Sequence, residues 1–413
     1  MRGFRERAEV DAVLAMLSQR VQPLAAESVA VTDAAGRVLA ADMVAENAVP
    51  GFDRAAMDGY AVRGEETFGA GAYSPLDFRV VGEARPGCPF AGTVHAGEAI
   101  RIMTGAPIPA GADAVLAAEA AEQHGATVRV TEPVPPGRNI GRAGEDITTG
   151  TTVLKSGRML RPQDAGVLAA LGVAQVPVIR RPTVELIITG DELLPPGSRP
   201  TGCLIVDSNS VMLAALVCRD GGLPSTGPIV ADHREAARAA MSRTEADVVL
   251  VSGGSSVGAE DHAPLVLAEL GELTFHGIAM RPSSPAGIGF LPAHRSKLQD
   301  QSSRPVFLLP GNPVSCLAAY DFFAGPTIRR LGGRSMEWTY CAVQLPLARK
   351  LVSAVGRVDY VRVRIVNDQV EPIATSGASI LSSTTRADGF VIVPRDSEGY
   401  GPGQTVHVSL YDR

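Results

Sequence analysis

Nowhere in the 413 residues do some 18 apolar residues run uninterrupted, so no membrane-spanning helix and no direct membrane insertion are expected. The opening "MRGFRERAEVDAVL" carries charge where a secretory signal needs its apolar stretch. Cysteine is scarce as well. Cys88, Cys203, Cys218, Cys316 and Cys341 are odd in number, scattered, and form no C-x-x-C pair. That argues against a disulfide framework or a zinc site and fits reduced thiols in a cytoplasmic chain. Excess positive charge is missing too: 38 Lys and Arg stand against 44 Asp and Glu, for a net charge of -6. Nucleic acid is therefore not an expected partner, and any anion site must be local. Neither G-x-x-x-x-G-K-[ST] nor G-x-G-x-x-G nor H-E-x-x-H occurs, which removes the standard nucleotidase loop, the dinucleotide fold and the helical zinc site. No repeat of fixed period and no low-complexity tract is visible.

What is present is a chain long enough for two to four domains. Val10, Val13, Leu14, Leu17 and Val21 keep the spacing of a one-faced helix. From about Gly51 to Gly137 short β-rich pieces such as "DFRVVGEA" and "EAIRIM" alternate with Pro and Gly turns, predicting a small β module inserted between helical pieces. Helix returns in "RPQDAGVLAALG", with Pro162 suited to the first turn and Gly172 to the position past the end. From Pro182 strand and helix alternate through "TVELIITG", "SNSVMLAALVCRDGG", "DHREAARAAMSR", "ADVVLVSGG" and "RPVFLLPGNP". Repeated strand-loop-helix units predict a mostly parallel sheet with ligands outside its carboxyl edge. The polar "LPAHRSKLQDQSSRP", residues 291–305, reads as a surface loop, and the stretch after Gly333 as a final β module.

Three strands end in unusual loops: "IITGDELLPPG", "LVSGGSSVGAED" and "LLPGNPVSC". In a parallel sheet these share one edge, where glycines let backbone N–H groups approach an anion and a following helix start favours negative charge. Ser252, Ser255 and Ser256 add hydroxyl donors. Asp191, Glu192 and Asp261 would repel a phosphate unless a divalent cation bridges them, which points to Mg²⁺ with a phosphoryl group. Against this stands a plain alternative: tight connections after strands, with the acids serving as helix caps. Asp58, in "MDGY", and Thr104, in "MTGAP", lie in turn-rich stretches that in isolation read as structural. His262 beside Asp261 reads as a helix-starting or surface residue, and Cys316 as a helix-buried thiol.

In order along the chain, "PGFDRAAMDGYAVR", "RIMTGAPIPAGADAV", "NIGRAGEDI", "ITGDELLPPG", "VDSNS", "VSGGSSVGAED", "LLPGNPVS", "GRVDYVRV" and "SGASILSS" closely resemble the molybdopterin molybdenumtransferases, bacterial relatives of the gephyrin E domain. The resemblance covers nearly the whole chain. It implies a multidomain α/β plus β protein: a split helical domain at 1–46 and 138–181, an inserted β domain at 47–137, an α/β molybdopterin-binding-like domain at 182–333, and a C-terminal β-barrel at 334–413. It further implies an L-shaped homodimer, whose active site is shared between subunits, working with other enzymes of the molybdenum cofactor pathway. The implied reaction is Mg²⁺-dependent: adenylylated molybdopterin and molybdate are the substrates, and AMP is released as molybdenum reaches the dithiolene.

Carried over by the resemblance, Ser252, Gly253, Gly254, Ser256 and Gly258, with Pro310, Gly311 and Asn312, cradle the pterin phosphate or adenylate. Asp191, Glu192 and Asp261 gather Mg²⁺, Asp58 and Thr104 reach in from the second subunit, and Arg357 with Ser376 helps form the molybdate edge. The chain departs from the family at "MRPSSPAGIGF", where "KPGKP" is usual: Arg281 and Ser284 stand at the two lysine positions. Arginine still binds an oxyanion, but serine there removes a full charge; at about 1 kcal/mol for charge assistance, oxyanion affinity falls several-fold to tenfold. This keeps a second reading open, a gephyrin-like scaffold that binds peptides of membrane receptors or cytoskeletal, cell-division proteins, with reduced or no transferase activity.

Overall fold

The computed structural model describes residues 7–254, 261–293, 303–374 and 377–411. It divides into two compact units, residues 28–178 on one side and residues 1–27 with 179–413 on the other. No helix among the described residues is long and apolar enough to cross a membrane.

The amphipathic stretch forms α1, Val10–Arg20, burying Val10, Val13 and Leu17. Its apolar stripe packs in one cluster with Ile278, Met280, Phe290, Ile328 and Leu331. The chain just before it is tied to the same place, Ala8 N donating to the Gly277 carbonyl at 3.0 Å and Ala279 N to the Ala8 carbonyl at 2.8 Å. Residues 1–27 cluster with the α/β unit, where the stripe finds its apolar partners.

In the 28–178 unit six strands form one sheet: β1 Gly59–Val62, β2 Leu76–Ala84, β3 Glu98–Ile102, β4 Ala114–Ala117, β5 Ala121–His124 and β6 Thr127–Val130, in the order β4-β1-β3-β2-β6-β5. All pairs are antiparallel except β2 with β3. Alternating side chains feed two cores, Tyr60, Val62, Phe78 and Leu116 in one and Ala61, Ile100, Ile102 and Val115 in the other, so both faces are covered. Helix α2, Pro162–Ala170, has proline in its first turn, and Gly172 beyond it takes φ +82°, both as the sequence predicts. Asp164 Oδ2 accepts the Arg161 N–H at 2.9 Å, and the Arg161 guanidinium helps hold its carboxyl far below the usual carboxylate range.

The α/β part of the other unit contains β7 Thr183–Ile188, α3 Asn209–Arg219, β8 Leu223–Thr226, α4 Arg234–Arg243, β9 Val248–Ser252, α5 Ala263–Leu270, β10 Glu272–His276, β11 Gly287–Pro292, β12 Ser303–Leu309, α6 Pro313–Ala319 and α7 Gly325–Leu331. Sheet order is β8-β7-β9-β12-β11-β10. The four strands β8, β7, β9 and β12 are parallel; β11 and β10 add antiparallel at one edge. Every residue of β9 is buried, as expected of a central strand covered on both faces. Most of the predicted 291–305 loop lies outside the described residues.

Opposite the site edge, Asp247 ties the strand starts together. Arg180 grips it with Nη1 and Nη2 at 2.7 and 3.0 Å, and Thr183 adds its N–H and hydroxyl, each at 2.8 Å. Burial pushes this carboxyl up, but Arg180 and Thr183 outweigh burial and hold it at about 2 against an ordinary 3.8. A depressed folded-state pKa contributes stability that is present above 3.8 and lost as pH falls toward 2. The loss is about 2 kcal/mol. Denaturant unfolding at pH 2.5 and pH 6 is expected to show that difference shrink in Asp247→Asn.

The C-terminal part holds β13 Ala342–Pro346, β14 Val358–Val366, β15 Gln369–Ala374, β16 Gly389–Val393 and β17 Thr405–Leu410. The short strand Met280–Arg281 pairs parallel with the start of β14. The path continues β14-β16-β17-β13, with β15 on the other side of β14. The sheet curls far enough for Leu347 to bridge Val370 of β15.

Candidate functional site

In register, Ile188 of β7 lies beside Ser252 of β9, and Ser252 beside Leu309 of β12. Three adjacent parallel strands therefore stop level with one another, and Thr189, Gly253 and Pro310 begin neighbouring loops. Gly253 has φ +99° and Gly254 φ +55°, and a Cβ built on Gly253 would lie 2.4 Å from the Thr189 carbonyl oxygen. Glycine is required at Gly253 on both counts. On the third loop Asn312 precedes α6, whose first helical residue is Pro313.

These loops surround a cavity of about 530 Å³. Of the residues expected from sequence, Glu192, Ser252, Gly253, Gly254, Asp261, Pro310, Gly311 and Asn312 line it. Asp191 stands one residue from the wall, its Oδ1 accepting the Asp232 N–H at 3.1 Å. Ser256, Gly258 and Ser376 lie outside the described residues.

Sequence reasoning missed Asp207, Asn209 and Asp232, which also line the cavity. Asp207 and Asn209 sit in "VDSNS", one of the stretches that carry the family resemblance; Asp232 has no local signal. Asp207 Oδ1 accepts the backbone N–H groups of Asn209 and Ser210 at 2.9 and 3.1 Å, tying down the start of α3. Burial pushes the Asp232 carboxyl up, and the nearby charges of Glu192 and Asp191 push it further. Like charge is thus concentrated at this wall.

Among the described residues no group of three or more His, Cys, Asp and Glu side chains is gathered to hold a metal ion. The expected Asp191, Glu192 and Asp261 set is not preassembled as a cage. Mg²⁺ does not need one: it keeps several waters and binds through one or two carboxylates plus substrate phosphates. The hard oxygen donors, and the repulsion that raises Asp232, suit such an ion.

Arg281 and Arg357 come together elsewhere in the same unit. Arg281 Nη2 donates to Asp359 Oδ2 at 2.6 Å and Arg357 Nε to Asp359 Oδ1 at 2.9 Å, with the Ser353 hydroxyl adding a bond at 2.9 Å. Asp359 is buried and both arginines are partly exposed. Two cations on one carboxylate leave a net positive charge facing outward. Neither arginine lines the cavity, but Pro285, four residues beyond Arg281, does. Between them the Ser284 hydroxyl is buried without a partner among the described residues.

Asp58 and Thr104 belong to the 28–178 unit and bind one another: the Thr104 N–H and hydroxyl both donate to Asp58 Oδ1 at 2.7 Å. The Thr104 hydroxyl, then its N–H, hold the Asp58 carboxyl below its ordinary value. Cys316 is fully buried, its thiol pushed up to about 12 by that burial, so it is no nucleophile at neutral pH. His262 occupies the residue before α5.

Family models match three successive stretches: the "MoeA N-terminal region (domain I and II)" over residues 8–172, the "Probable molybdopterin binding domain" over 185–330, and the "MoeA C-terminal region (domain IV)" over 344–411. The chain is 33% identical over 408 residues to the molybdopterin molybdenumtransferase of Haemophilus influenzae, with 96% of each chain covered. The chain belongs to the molybdopterin molybdenumtransferase family. It is accordingly an enzyme of molybdenum cofactor biosynthesis. Molybdopterin molybdenumtransferase 2 of Mycobacterium tuberculosis is 36% identical over 342 residues, covering 80% of each chain. In three dimensions the chain is similar to the molybdopterin biosynthesis MoeA protein of Pyrococcus horikoshii, with a TM-score of 0.83, 32% identity, and 99% and 100% of the two chains covered.

Proposed function

We propose that the cavity at the ends of β7, β9 and β12 binds adenylylated molybdopterin, and that the enzyme cleaves it with Mg²⁺ and molybdate, releasing AMP. The observation that carries this reading is the meeting of two glycine loops, at Gly253 and Gly311, with the carboxylates Glu192, Asp232 and Asp261 around one cavity. Backbone N–H groups of the loops hold phosphoryl oxygens. Glu192, Asp191 and Asp261, joined by Asp232, would hold the metal, which when bound neutralises charge building on the phosphoanhydride. Arg281 and Arg357, held side by side by Asp359, would face molybdate. Ser284 offers a hydroxyl there where the family has a lysine. We further propose a homodimer in which Asp58 and Thr104 complete the site, and the four-part domain division set out from the sequence.

The test is direct. Incubation with adenylylated molybdopterin, Mg²⁺ and molybdate should release AMP, and none at saturation would sink the proposal. Asp261→Ala should lower AMP release about tenfold or more, as expected for losing a charged contact at the reacting group, with an unchanged melting curve.

One observation favours the scaffold reading as an additional role. A second cavity of about 670 Å³ lies between α1 and the C-terminal strands, lined by Leu14, Phe322, Trp338, Val358 and Ile392, with Arg395 and Asp396. Trp338 is the sole tryptophan, so its emission reports on this cleft. A C-terminal peptide of a cell-division protein should shift that emission if the reading holds; an unchanged spectrum at millimolar peptide counts against it.

A further inference from the structure

We propose that Asn209 reads the amino-pyrimidinone edge of the substrate's pterin ring, its Oδ1 accepting an N–H of the exocyclic 2-amino group; this rests on the molybdopterin reading above. Asn209 is 7% exposed and lines the main cavity. Its Nδ2 is committed twice, donating to Ser252 Oγ at 2.9 Å and to the Gly311 carbonyl at 2.8 Å. A backbone carbonyl can only accept, so the orientation of the amide is settled and Oδ1 is the atom left over. That Oδ1 is buried and has no hydrogen-bond partner among the described residues.

A buried acceptor in this state is costly until a donor reaches it. Asp207, two residues earlier, is a buried carboxylate lining the same cavity and adds a second acceptor beside it. Phosphate oxygens and dithiolene sulfurs are poor matches for such a wall, because they accept and do not donate. Of the parts of molybdopterin, the pterin ring carries the N–H donors, the 2-amino group standing at its outer edge. The asparagine therefore does two things at once. Its donors cross-link the loops after β9 and β12, and its acceptor sorts the donor end of the substrate from the phosphate end.

Adenylate also carries an amine, so the experiment must separate ring from nucleotide. The full-length protein is titrated with 6-hydroxymethylpterin phosphate and with the 2-oxo analogue that lacks the amine, following pterin fluorescence. The amino compound should bind about tenfold tighter, since a site built around a hydrogen bond rejects an analogue lacking it. Asn209→Leu should erase the difference, whereas Asn209→Asp, which keeps an acceptor, should retain it. AMP affinity, measured by calorimetry in each variant, reports how far loss of the loop cross-link has moved the phosphate loops, and the ring test is read as the ratio of the two ring compounds within each variant. Equal binding of the two ring compounds by the unaltered protein overturns the assignment, whatever the variants' stability. So does a variant effect confined to AMP. Absence of binding by both ring compounds overturns the molybdopterin reading, and the assignment with it.

Discussion

Gly253→Ala is expected to lower AMP-releasing turnover about 100-fold, the effect of displacing a positioned group by about 1 Å. The cause is steric and local. At φ +99° the added Cβ would sit 2.4 Å from the Thr189 carbonyl oxygen and 2.7 Å from Thr189 Oγ1. The carbonyl is backbone and is held in place, because Thr189, the residue after β7, donates its N–H to the carbonyl of Ser252, the last residue of β9, at 2.9 Å. The loop must therefore move away from the sheet and carry its N–H groups with it. Backbone strain adds about 1–3 kcal/mol of destabilisation, readable as a lower denaturation midpoint. Gly311→Ala is the matched comparison. A Cβ there would lie 3.7 Å from Gly253 Cα, in ordinary contact and without positive φ, so its effect on turnover should be much smaller. Equal losses in the two variants would show that the Thr189 clash is not the cause.

Asp220→Ala should cost about 3–5 kcal/mol of stability, the expected result of leaving a buried cation unpaired. The Asp220 side chain is fully buried, and Arg329 beside it is 2% exposed. Arg329 Nη1 donates to Asp220 Oδ1 at 2.7 Å; Tyr320 and Arg219 donate to Oδ2 at 3.0 and 2.8 Å. Asp321 extends the network, accepting from Arg219 and from the Tyr340 hydroxyl, each at 3.0 Å. Removing Asp220 strips Arg329 of its carboxylate while burial stops water from replacing it. In a unit of this size each kcal/mol lowers the melting temperature by roughly 2–4 °C, giving a drop of about 10 °C. Pairing the change with Arg329→Met should restore much of the loss, since a hydrophobic replacement of both partners avoids the stranded charge. A double variant no more stable than Asp220→Ala would refute that account.

Much of the site was legible because its loops advertise themselves locally. An apolar strand followed by paired glycines, or by Pro-Gly-Asn-Pro, can be read within a dozen residues. The helix face of α1 was equally plain, since it depends on spacing alone. Its partner was not: nothing in residues 10–20 says that the stripe will meet Ile278 and Leu331. The antiparallel strands β10 and β11 escaped for a related reason. Strand direction is set by what lies beside a strand, and short apolar runs look the same either way.

Asp232 and Asn209 show the limit for the site itself. Positions 207, 209, 232, 252 and 311 meet only because β7, β9 and β12 are parallel and end in register, bringing loops from distant sequence to one edge. Likewise Arg281 and Arg357 share Asp359 only because Met280–Arg281 pairs with the start of β14. By itself the sequence determined which residues carry donors, acceptors and charge, and where glycine frees the backbone, because these are properties of single residues and their near neighbours. The tertiary structure alone decided which of them face one another, which polar atom is left without a partner, and which carboxylate is pushed up by its neighbours, because burial and electrostatics act through space and not along the chain.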